Sequence, residues 1–372
     1  MNYASAAGPS ATRAIAVYLP QFHPNPENDS WWGKGFTEWT NVTKARPLYP
    51  GHYQPRLPTD LGFYDLRLPE TQDAQAELAK EYGLHGFCYY HYWFQGKRLL
   101  HRPLDEVLRR QQPDFPFCIC WANETWSRRW LGEDREILIA QTYSDEDDRE
   151  HGRWLAEVFA DPRYIRVDGR PLFLIYRPMD LPDPNRTVDA IREASARAGL
   201  PDPYVLGVGG HHRGIDFRSK GFDGTVDFAP QLGLLDGAFW DKFSTRRLIR
   251  NLLEHRVLSG DLKIYDYEAA WRLVVEERPK FPIFPMVFVG WDNTARRGRR
   301  GIIVSNSTPE KFARAFQETV SSVQGSPPEQ QIVFVNAWNE WAEGNHLEPD
   351  ILHGRGYLEA IRAVLQPALQ PA

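Results

Sequence analysis

Sulfur-containing side chains and long apolar runs are both scarce in this sequence of 372 residues. Its three cysteines, Cys88, Cys118 and Cys120, lie inside short apolar segments and lack the spacing of a disulfide framework or a zinc site. We predict that they are small core residues of a protein in a reducing compartment. No apolar run approaches the roughly 20 residues of a membrane-spanning helix, and residues 1–12 lack the apolar centre of a signal peptide. We expect a cytoplasmic chain without a membrane span.

An excess of positive charge is also missing, which argues against nucleic acid as a partner. The 44 Lys and Arg residues are outnumbered by 49 Asp and Glu residues, and the formal net charge is −5. The one dense basic segment, residues 296–300, is predicted to be a solvated loop. The sequence shows no P-loop, no serine elbow and no His/Cys metal cluster, and residues 207–210 lack the spacing of a dinucleotide-binding loop. We expect neither a metal nor a cofactor.

Aromatic side chains are abundant: they form 13% of the chain, which has 13 Trp residues. Many of these rings lie next to Asn, Glu, Asp or His in the sequence instead of inside apolar runs. A buried Trp needs a partner for its N–H group, so core packing alone uses this residue sparingly. The composition favours a polar cleft lined by aromatic rings.

Short apolar segments recur along the chain with helical segments between them, which predicts parallel strands covered on both faces. Helices are predicted at residues 70–82, 145–159, 187–198, 308–323 and 356–365 from their apolar spacing and end signals. Eight strands are predicted, at residues 14–19, 86–90, 117–121, 172–176, 204–208, 225–228, 285–289 and 332–335. Eight strands that alternate with helices favour an α/β fold with a single (β/α)8 barrel over residues 14–366. The alternative is two Rossmann-like halves. Residues 1–13 are predicted to be flexible and residues 367–372 to be a tail.

The barrel interpretation makes a sharp claim about the site, because barrel enzymes place catalytic groups at the carboxyl ends of their strands. Nearly every polar-aromatic cluster of this sequence follows a predicted strand, as expected for long loops at that rim. These clusters are Gln21 and His23; His91, Tyr92 and Trp93; Asn123, Glu124 and Trp126; Tyr176 and Arg177; residues 209–212; Gln231; Trp291, Asp292 and Asn293; and residues 336–343.

The last cluster carries the chemistry. The apolar run of residues 332–335 leads into Glu340 and Glu343, three residues apart and flanked by Trp338 and Trp341. Carboxyl groups beside apolar rings lose hydration, which raises their pKa values as acid/base catalysis requires. Indole faces and carboxylates together suit a sugar ring, so we interpret this pair as the catalytic centre of an enzyme acting on glycosidic bonds. The alternative is a capping or salt-bridging pair on a surface loop.

The other clusters are candidates for substrate binding, each with a structural alternative. Glu124 could contact sugar hydroxyls or pair with Arg128 or Arg129, and Asp292 could do the same or close an Asx turn. His91 could bind substrate or be a structural histidine, and Glu38 is a weak candidate on a loop over the rim. The full set predicted to bind substrate is His23, Glu38, His91, Tyr92, Trp121, Asn123, Glu124, Trp126, Trp291, Asp292, Asn336, Trp338, Trp341 and His346.

These clusters resemble those of the WbsX-type proteins, also called glycoside hydrolase family 99-like. The matching stretches are residues 18–23, 35–39, 90–94, 121–124, 291–293 and 338–343, within about residues 14–365. The last stretch is similar to the Glu-Trp-X-Glu motif of family 99 endo-α-mannosidases, although Ala342 stands where those enzymes usually carry His. The resemblance implies a (β/α)8 barrel, no metal and retention of configuration. It also implies that Glu340 deprotonates the sugar 2-hydroxyl and that Glu343 protonates the leaving oxygen.

The resemblance therefore favours a retaining, endo-acting α-glycoside hydrolase on a mannose- or rhamnose-configured polysaccharide, such as O-antigen. A 1,2-anhydro sugar would be its intermediate. One alternative is a glycosyltransferase of polysaccharide biosynthesis, which would need a metal or basic residues at the rim, where Arg128, Arg129 and Arg177 are the candidates. Another is a carbohydrate-binding protein without turnover, which would keep the Trp residues but would not need both acids. The expected partner is a polysaccharide or oligosaccharide.

Overall fold

The computed structural model describes residues 12–128, 133–238 and 262–366. Arg13 is the first residue of the first strand, one position earlier than predicted. Most of the segment predicted to be flexible, residues 1–11, and the predicted tail, residues 367–372, lie outside the described residues. Arg129 also lies outside them.

Eight parallel strands close into one barrel, which confirms the predicted (β/α)8 fold and excludes two Rossmann-like halves. Each strand pairs with its neighbours in sequence, and the last pairs with the first, with Ala14 opposite Val333 and Ile15 opposite Phe334. The strands are β1 (Arg13–Tyr18), β2 (Gly86–Phe94), β3 (Phe117–Trp121), β4 (Arg170–Ile175), β5 (Tyr204–Val208), β6 (Gly224–Asp227), β7 (Phe284–Phe288) and β8 (Ile332–Asn336).

The strands form here because their residues are apolar on both faces. Every residue of β3, β5, β7 and β8 is buried, as expected for strands between the barrel interior and surrounding helices. Close packing requires glycine at two positions. A Cβ atom on Gly86 would lie 2.4 Å from the Pro116 carbonyl oxygen, and one on Gly207 would lie 2.6 Å from the Phe217 ring.

The helices confirm all five predicted segments, with ends shifted by up to three residues. Ser144 caps the helix that begins with four acidic residues, and Thr308 caps the helix that begins with Pro309. The helices are Pro26–Trp32, Glu38–Lys44, Pro69–Glu81, Arg102–Arg110, Asp145–Phe159, Pro184–Arg197, Leu232–Ala238, Tyr267–Glu276, Thr294–Arg297, Pro309–Val323 and Gly356–Leu365. No helix among the described residues is long and apolar enough to cross a bilayer.

Additional short strands lengthen the loops around the barrel, mostly after the carboxyl ends of its strands. Lys97–Leu99 folds back on β2, Trp126–Arg128 pairs with Glu133–Ile139 after β3, and Asn339–Glu340 pairs with Asn345–His346 after β8. A three-stranded sheet joins Lys263–Asp266, Ile302–Ser305 and Trp291–Asp292. Arg166–Val167 pairs with the start of β4 at the opposite end. The long loops thus gather where the sequence predicts the site.

Candidate active site

A cavity of about 690 Å³ opens at the carboxyl ends of the barrel strands. Its walls come from the loops that follow the strands, and both predicted catalytic residues, Glu340 and Glu343, lie on its surface. The predicted binding residues that also line it are Tyr92, Glu124, Trp126, Trp291 and Asn336. The chain therefore brings residues more than 200 positions apart into one site.

The two acids share one buried arginine with a third carboxylate. Arg296 Nη1 lies 2.6 Å from Glu343 Oε1, Nη2 lies 3.1 Å from Glu340 Oε2, and Nε lies 2.7 Å from Glu38 Oε1. The side chains of Arg296 and Glu340 are at most one-tenth exposed, that of Glu343 is 21% exposed, and that of Glu38 is fully buried. Each edge of the planar guanidinium is thus matched to a different carboxylate. Both acids are salt-bridged to Arg296, but they line a cavity instead of lying on a surface loop, and their catalytic role stays a prediction.

The predicted solvated loop at residues 296–300 is corrected by this arrangement. Arg296 is the last but one residue of the short helix Thr294–Arg297, which carries it from the end of β7 to the cavity floor. Arg297, Arg299 and Arg300 are exposed, as a solvated loop requires. The sequence did contain a signal, because Arg296 lies one helical turn after Trp291-Asp292-Asn293 and so faces the same rim.

A tight hairpin holds the acids in place. Asn339–Glu340 pairs with Asn345–His346, and the single 3₁₀ turn Trp341–Glu343 connects them. Asn339 fixes this hairpin to the end of β1, since its side chain accepts a hydrogen bond from Leu19 N at 2.7 Å and donates one to Leu19 O at 3.0 Å. These two side-chain hydrogen bonds hold the hairpin to β1 in place of backbone–backbone hydrogen bonds.

Glycine is required at the end of this turn. Gly344 has a φ of +58°, and a Cβ atom there would lie 2.6 Å from Arg56 Nε and 3.0 Å from Asp292 Cβ. The next residue, Asn345, accepts a hydrogen bond from Val289 N at 3.0 Å and so links the hairpin to β7. The turn is thereby attached to the barrel on both sides.

Trp341 separates the two acids in sequence and points away from the cavity. Its Nε1 donates to Glu348 Oε2 at 2.6 Å, and the same oxygen accepts a hydrogen bond from the Tyr64 hydroxyl at 2.8 Å. Gln75 donates to the other oxygen of Glu348 at 2.6 Å. Burial raises the pKa of Glu348 to about 7, although these donors favour its ionised form. The Trp341 ring also packs with its centroid 5.4 Å from that of Trp39, so it anchors the turn Trp341–Glu343 to the helix Glu38–Lys44.

The electrostatics of the pair suit acid/base chemistry. Burial raises the pKa of Glu340 to about 8, with Glu343 adding to the rise and Arg296 opposing it. Burial likewise raises the pKa of Glu343, again against Arg296. Two coupled carboxyl groups titrate as a unit, and the raised pKa values keep a proton on the pair near neutral pH. One group can then donate a proton while the other accepts one.

Aromatic rings and one amide form the walls around the acids. Tyr92 and Trp126 pack edge to face with ring centroids 5.0 Å apart, and Trp291 lines the cavity on the side of β7. Asn336 ends β8 and donates from Nδ2 to the Ala229 carbonyl at 2.9 Å. The rings offer flat apolar faces beside polar groups, as the aromatic composition indicates.

Glu124 stands at the cavity wall on the side of β3 and β4. Arg177 Nη1 lies 3.0 Å from its carboxylate, and His211 Nε2 lies 3.7 Å from it. The alternative partners from the sequence stay untested, since Arg129 and the side chain of Arg128 lie outside the described residues. Glu124 is partly exposed, and its charge contributes to the raised pKa of Glu343. Both carboxylates therefore line the same cavity and interact electrostatically.

The remaining predicted binding residues lie behind the cavity wall. His23 is buried, with Nδ1 3.0 Å from the Pro20 carbonyl, and burial lowers its pKa to about 4. His91 is also buried, with Nε2 3.1 Å from His151 Nε2 and its ring stacked 4.3 Å from Trp154. Burial lowers the pKa of His91 well below its usual value. These contacts favour the structural interpretation of His91.

Two residues at the carboxyl end of β3 also serve the scaffold. Trp121 is fully buried and donates from Nε1 to the Trp93 carbonyl at 3.3 Å. Asn123 accepts a hydrogen bond from Arg177 N at 2.8 Å and donates to the Tyr143 hydroxyl at 3.1 Å. Asn123 thus links the ends of β3 and β4, and its side-chain amide does not line the cavity.

Asp292 is a buried anchor. It lies 2.9 Å from His52 Nε2, accepts from Gln54 Nε2 at 2.8 Å, and accepts from both the Thr294 hydroxyl and backbone N–H. Burial opposes its charge, but the hydrogen bonds from His52 and Thr294 lower its pKa. The bond to Thr294 N is the Asx turn that the sequence offered as the alternative.

The aromatic residues next to the turn Trp341–Glu343 are likewise buried and do not line the cavity. Trp338 is fully buried with its ring 5.0 Å from that of Phe87. His346 stacks on Trp341 at 3.7 Å and has Nδ1 3.0 Å from the Glu348 carbonyl, and burial lowers its pKa to about 4. These side chains, together with Glu38, support the site without lining the cavity.

Sequence reasoning missed Arg296 and assigned no role to Tyr90 and Tyr176, which line the cavity with rings 5.9 Å apart. Burial raises the pKa of both phenols, and the charges of Glu340 beside Tyr90 and of Glu343 beside Tyr176 add to the rise. Both hydroxyls therefore stay protonated and can donate hydrogen bonds. Their position at the strand ends was the available signal.

Among the described residues, no group of three or more His, Cys, Asp or Glu side chains is arranged to hold a metal ion. The three carboxylates near the cavity floor surround the Arg296 guanidinium, which takes the central position that a cation would need. The absence of a metal requirement stays a prediction.

Sequence comparison identifies relatives over nearly the whole chain. The family model described as Glycosyltransferase WbsX matches residues 14–361. Two strains of Xanthomonas campestris pv. campestris, B100 and ATCC 33913, have an uncharacterized protein called WxcX that is 43% identical over 357 residues. The match covers 95% of this chain and 50% of WxcX, so the chain spans about half the length of these relatives.

Structural comparison shows the same fold in glycoside hydrolases. The GH99 endo-alpha-mannosidase from Bacteroides thetaiotaomicron is 16% identical with a TM-score of 0.55, over 95% of this chain and 97% of that protein. A glycoside hydrolase-like protein is 13% identical with a TM-score of 0.58, over 98% of both chains. At these identities the similarity is one of fold. Since the family match runs from the first barrel strand into the last helix, the chain belongs to the WbsX family and places that family's sequence on a GH99-type barrel.

Proposed function

We propose that this chain is a retaining, endo-acting α-glycoside hydrolase on a mannose- or rhamnose-configured polysaccharide such as O-antigen. The observation that carries the proposal is the pair Glu340 and Glu343, held by Arg296 on the floor of an aromatic-walled cavity. The WbsX family membership and the GH99-like barrel support a glycoside-active enzyme. The cavity volume of about 690 Å³ has room for more than one sugar ring.

The proposed reaction has two steps, with Glu340 as base and Glu343 as acid. Glu340 takes the proton of the 2-hydroxyl while that oxygen attacks C1, and Glu343 gives its proton to the departing glycosidic oxygen. The C1–O bond to the leaving sugar breaks and a 1,2-anhydro sugar forms. Glu343 then removes a proton from water, which opens the anhydro ring at C1, and Glu340 returns its proton to O2. Two inversions give net retention.

The site electrostatics support one proton shared by the pair at neutral pH. Three carboxylates and one guanidinium leave the cluster two negative charges in excess when every group is ionised. A proton held on the pair relieves part of that repulsion, and it is the proton that the leaving group needs. The stereochemistry then restricts the substrate, because O2 must lie trans to the leaving group, as it does in α-mannosides and α-rhamnosides.

A glycosyltransferase is the second candidate, favoured by the name of the family, Glycosyltransferase WbsX, and by two basic residues at the cavity wall. Arg177 and Arg297 both line the cavity and could contact a sugar-nucleotide diphosphate. Arg177, however, already pairs with Glu124 and with Asp180 at 2.8 Å, which lowers the charge available to a phosphate. A carbohydrate-binding protein without turnover would not need two buried acids beside each other.

The test is incubation with α-mannans and rhamnans of defined linkage, with product sizing and proton NMR of the first anomer released. Oligosaccharides of retained configuration support the proposal, and an inverted product contradicts it. Glu340→Gln and Glu343→Gln serve as matched variants, since they keep the side-chain shapes and remove one acid each. Transfer from a sugar nucleotide without polysaccharide cleavage would establish the second candidate. Polysaccharide binding without cleavage would establish a binding protein.

A further inference from the structure

Glu38 is a buried carboxylate that the proposed reaction does not use. Its side chain has no exposed surface and does not line the cavity, so it cannot contact a sugar. It is the first residue of the helix Glu38–Lys44, whose start is fixed by a backbone bond from Glu38 N to Gln21 O at 3.0 Å. Placing an ionised carboxylate in such a position is unfavourable unless a partner compensates its charge.

That partner is Arg296, and the contact fixes the orientation of its guanidinium group relative to Glu340 and Glu343. Glu38 Oε1 occupies the Nε edge at 2.7 Å, which leaves Nη1 for Glu343 at 2.6 Å and Nη2 for Glu340 at 3.1 Å. A planar guanidinium fixed at one edge has little freedom to rotate. The helix of Glu38 also packs on the catalytic turn, with Trp39 against Trp341 at 5.4 Å.

We propose that Glu38 is a positioning residue: through Arg296 it orients the catalytic pair, and its negative charge keeps a proton on that pair. The inference rests on the proposed function for its kinetic consequence but not for its structural one. Without the Glu38 charge, the Arg296 charge would act on Glu340 and Glu343 alone and would favour their ionised forms. Burial still raises the pKa values of both acids, and Glu38 adds to both rises.

The other titratable and charged groups near the pair come from several loops and stay unchanged in the test. Glu124 raises the pKa of Glu343, and the raised pKa values of Tyr90, Tyr92 and Tyr176 keep these phenols neutral near the acids. Arg297 lines the cavity beside Arg296. A shift caused by replacing Glu38 is therefore attributable to its own charge.

The variant Glu38→Gln removes the charge and keeps an oxygen that can accept from Arg296 Nε. The variant Glu38→Asp keeps the charge on a shorter side chain and tests rescue. Glu157→Gln, at an exposed position of the helix Asp145–Phe159, is the matched control for the loss of one carboxylate. Circular dichroism and urea unfolding establish that each variant is folded before it is compared.

The first readout is the infrared carboxyl stretch of the resting protein as a function of pH, assigned with Glu340→Gln and Glu343→Gln. We expect Glu38→Gln to lower the midpoint of the pair by on the order of one pH unit. Glu38→Asp should stay within about half a unit of wild type, because its charge remains. Glu157→Gln should leave the midpoint unchanged. An unchanged midpoint in folded Glu38→Gln would overturn the inference.

The second readout is the pH profile of kcat/KM on a cleaved polysaccharide. Both limbs should move to lower pH by a similar amount in Glu38→Gln, and KM at the optimum should stay near wild type, because Glu38 does not touch the substrate. A higher KM with an unmoved profile would contradict the positioning role. If the wild-type protein cleaves nothing while the infrared midpoint still shifts, the proposed function fails and the inference stands. If it cleaves polysaccharide and neither readout moves, only the inference fails.

Discussion

Replacing Glu340 with Gln should stabilise the folded protein while it removes activity. The carboxyl is buried against one shared guanidinium, and burial raises its pKa from 4.5 to about 8. The folded state therefore binds this proton more tightly than the unfolded state does. The contribution of Glu340 to the free energy of unfolding is most favourable below its unfolded pKa near 4.5. It is lost as the pH rises toward the folded pKa of about 8, because the folded state disfavours the ionised carboxylate.

The magnitude follows from the linkage relation. One pKa unit corresponds to about 1.4 kcal/mol, so a rise from 4.5 to about 8 represents a penalty of roughly 5 kcal/mol on the folded state at alkaline pH. The amide avoids that penalty but weakens the contact with Arg296 Nη2, which costs on the order of 1–3 kcal/mol. We expect a net gain of a few kcal/mol in the free energy of unfolding near pH 9 and no gain or a small loss near pH 5. Arg296 keeps Glu38 and Glu343 as partners, so the variant leaves no uncompensated cation.

Equilibrium urea unfolding at about pH 5 and about pH 9 measures both numbers for wild type and Glu340→Gln. The control is Glu157→Gln, an exposed helix position where the change should be within about 0.5 kcal/mol at either pH. A variant that is less stable than wild type near pH 9, or whose difference from wild type does not depend on pH, would refute the argument that ionised Glu340 strains the site.

Three further outcomes follow from the site. Glu343→Gln should lower the rate by roughly 10²–10⁴ through loss of the general acid, and an activated aryl leaving group should lose less than a sugar; equal losses would place the acid elsewhere. Exhaustive chelation should leave activity intact, because Arg296 occupies the centre of the carboxylate cluster; loss that manganese or magnesium restores would favour the transferase. A substrate deoxygenated at C2 should bind without turning over, and a 2-fluoro glycosyl adduct on Glu340 in mass spectrometry would contradict the anhydro-sugar route.

The barrel could be predicted because its strands carry their own evidence. Segments such as residues 117–121 and 332–335 are apolar throughout, and only a strand covered on both faces explains so short a run between helices. The helix ends were also readable, since Ser144 and Thr308 cap helices by local hydrogen bonds. Local signals, apolar runs for strands and capping residues for helices, are thus sufficient to predict the elements of the barrel.

The roles of individual rim residues were harder to predict, because local sequence does not tell which face of a loop turns inward. His91, Trp121 and Asp292 lie near the barrel rim, where a binding residue would lie, yet each side chain makes a structural contact inside the protein. Arg296 shows the reverse case. It stands in a basic run that indicates solvent, but its partner Glu38 is 258 residues away and no local pattern connects them.

Within residues 338–343, only Glu340 and Glu343 line the cavity, while Trp341 and Ala342 are buried. This arrangement bears on the departure from the mannosidase motif at Ala342. Ala342 lies in the turn between the two acids, is fully buried and does not line the cavity. A larger side chain there would meet the protein interior before it met a sugar. Substrate selection in this chain is therefore better sought in the residues that face the cavity, such as Tyr92, Trp126 and the apolar Ile137. If this apolar lining selects against a C6 hydroxyl, D-rhamnosides should be cleaved faster than D-mannosides of the same linkage, and equal rates would contradict that selection while leaving the roles of the acids untouched.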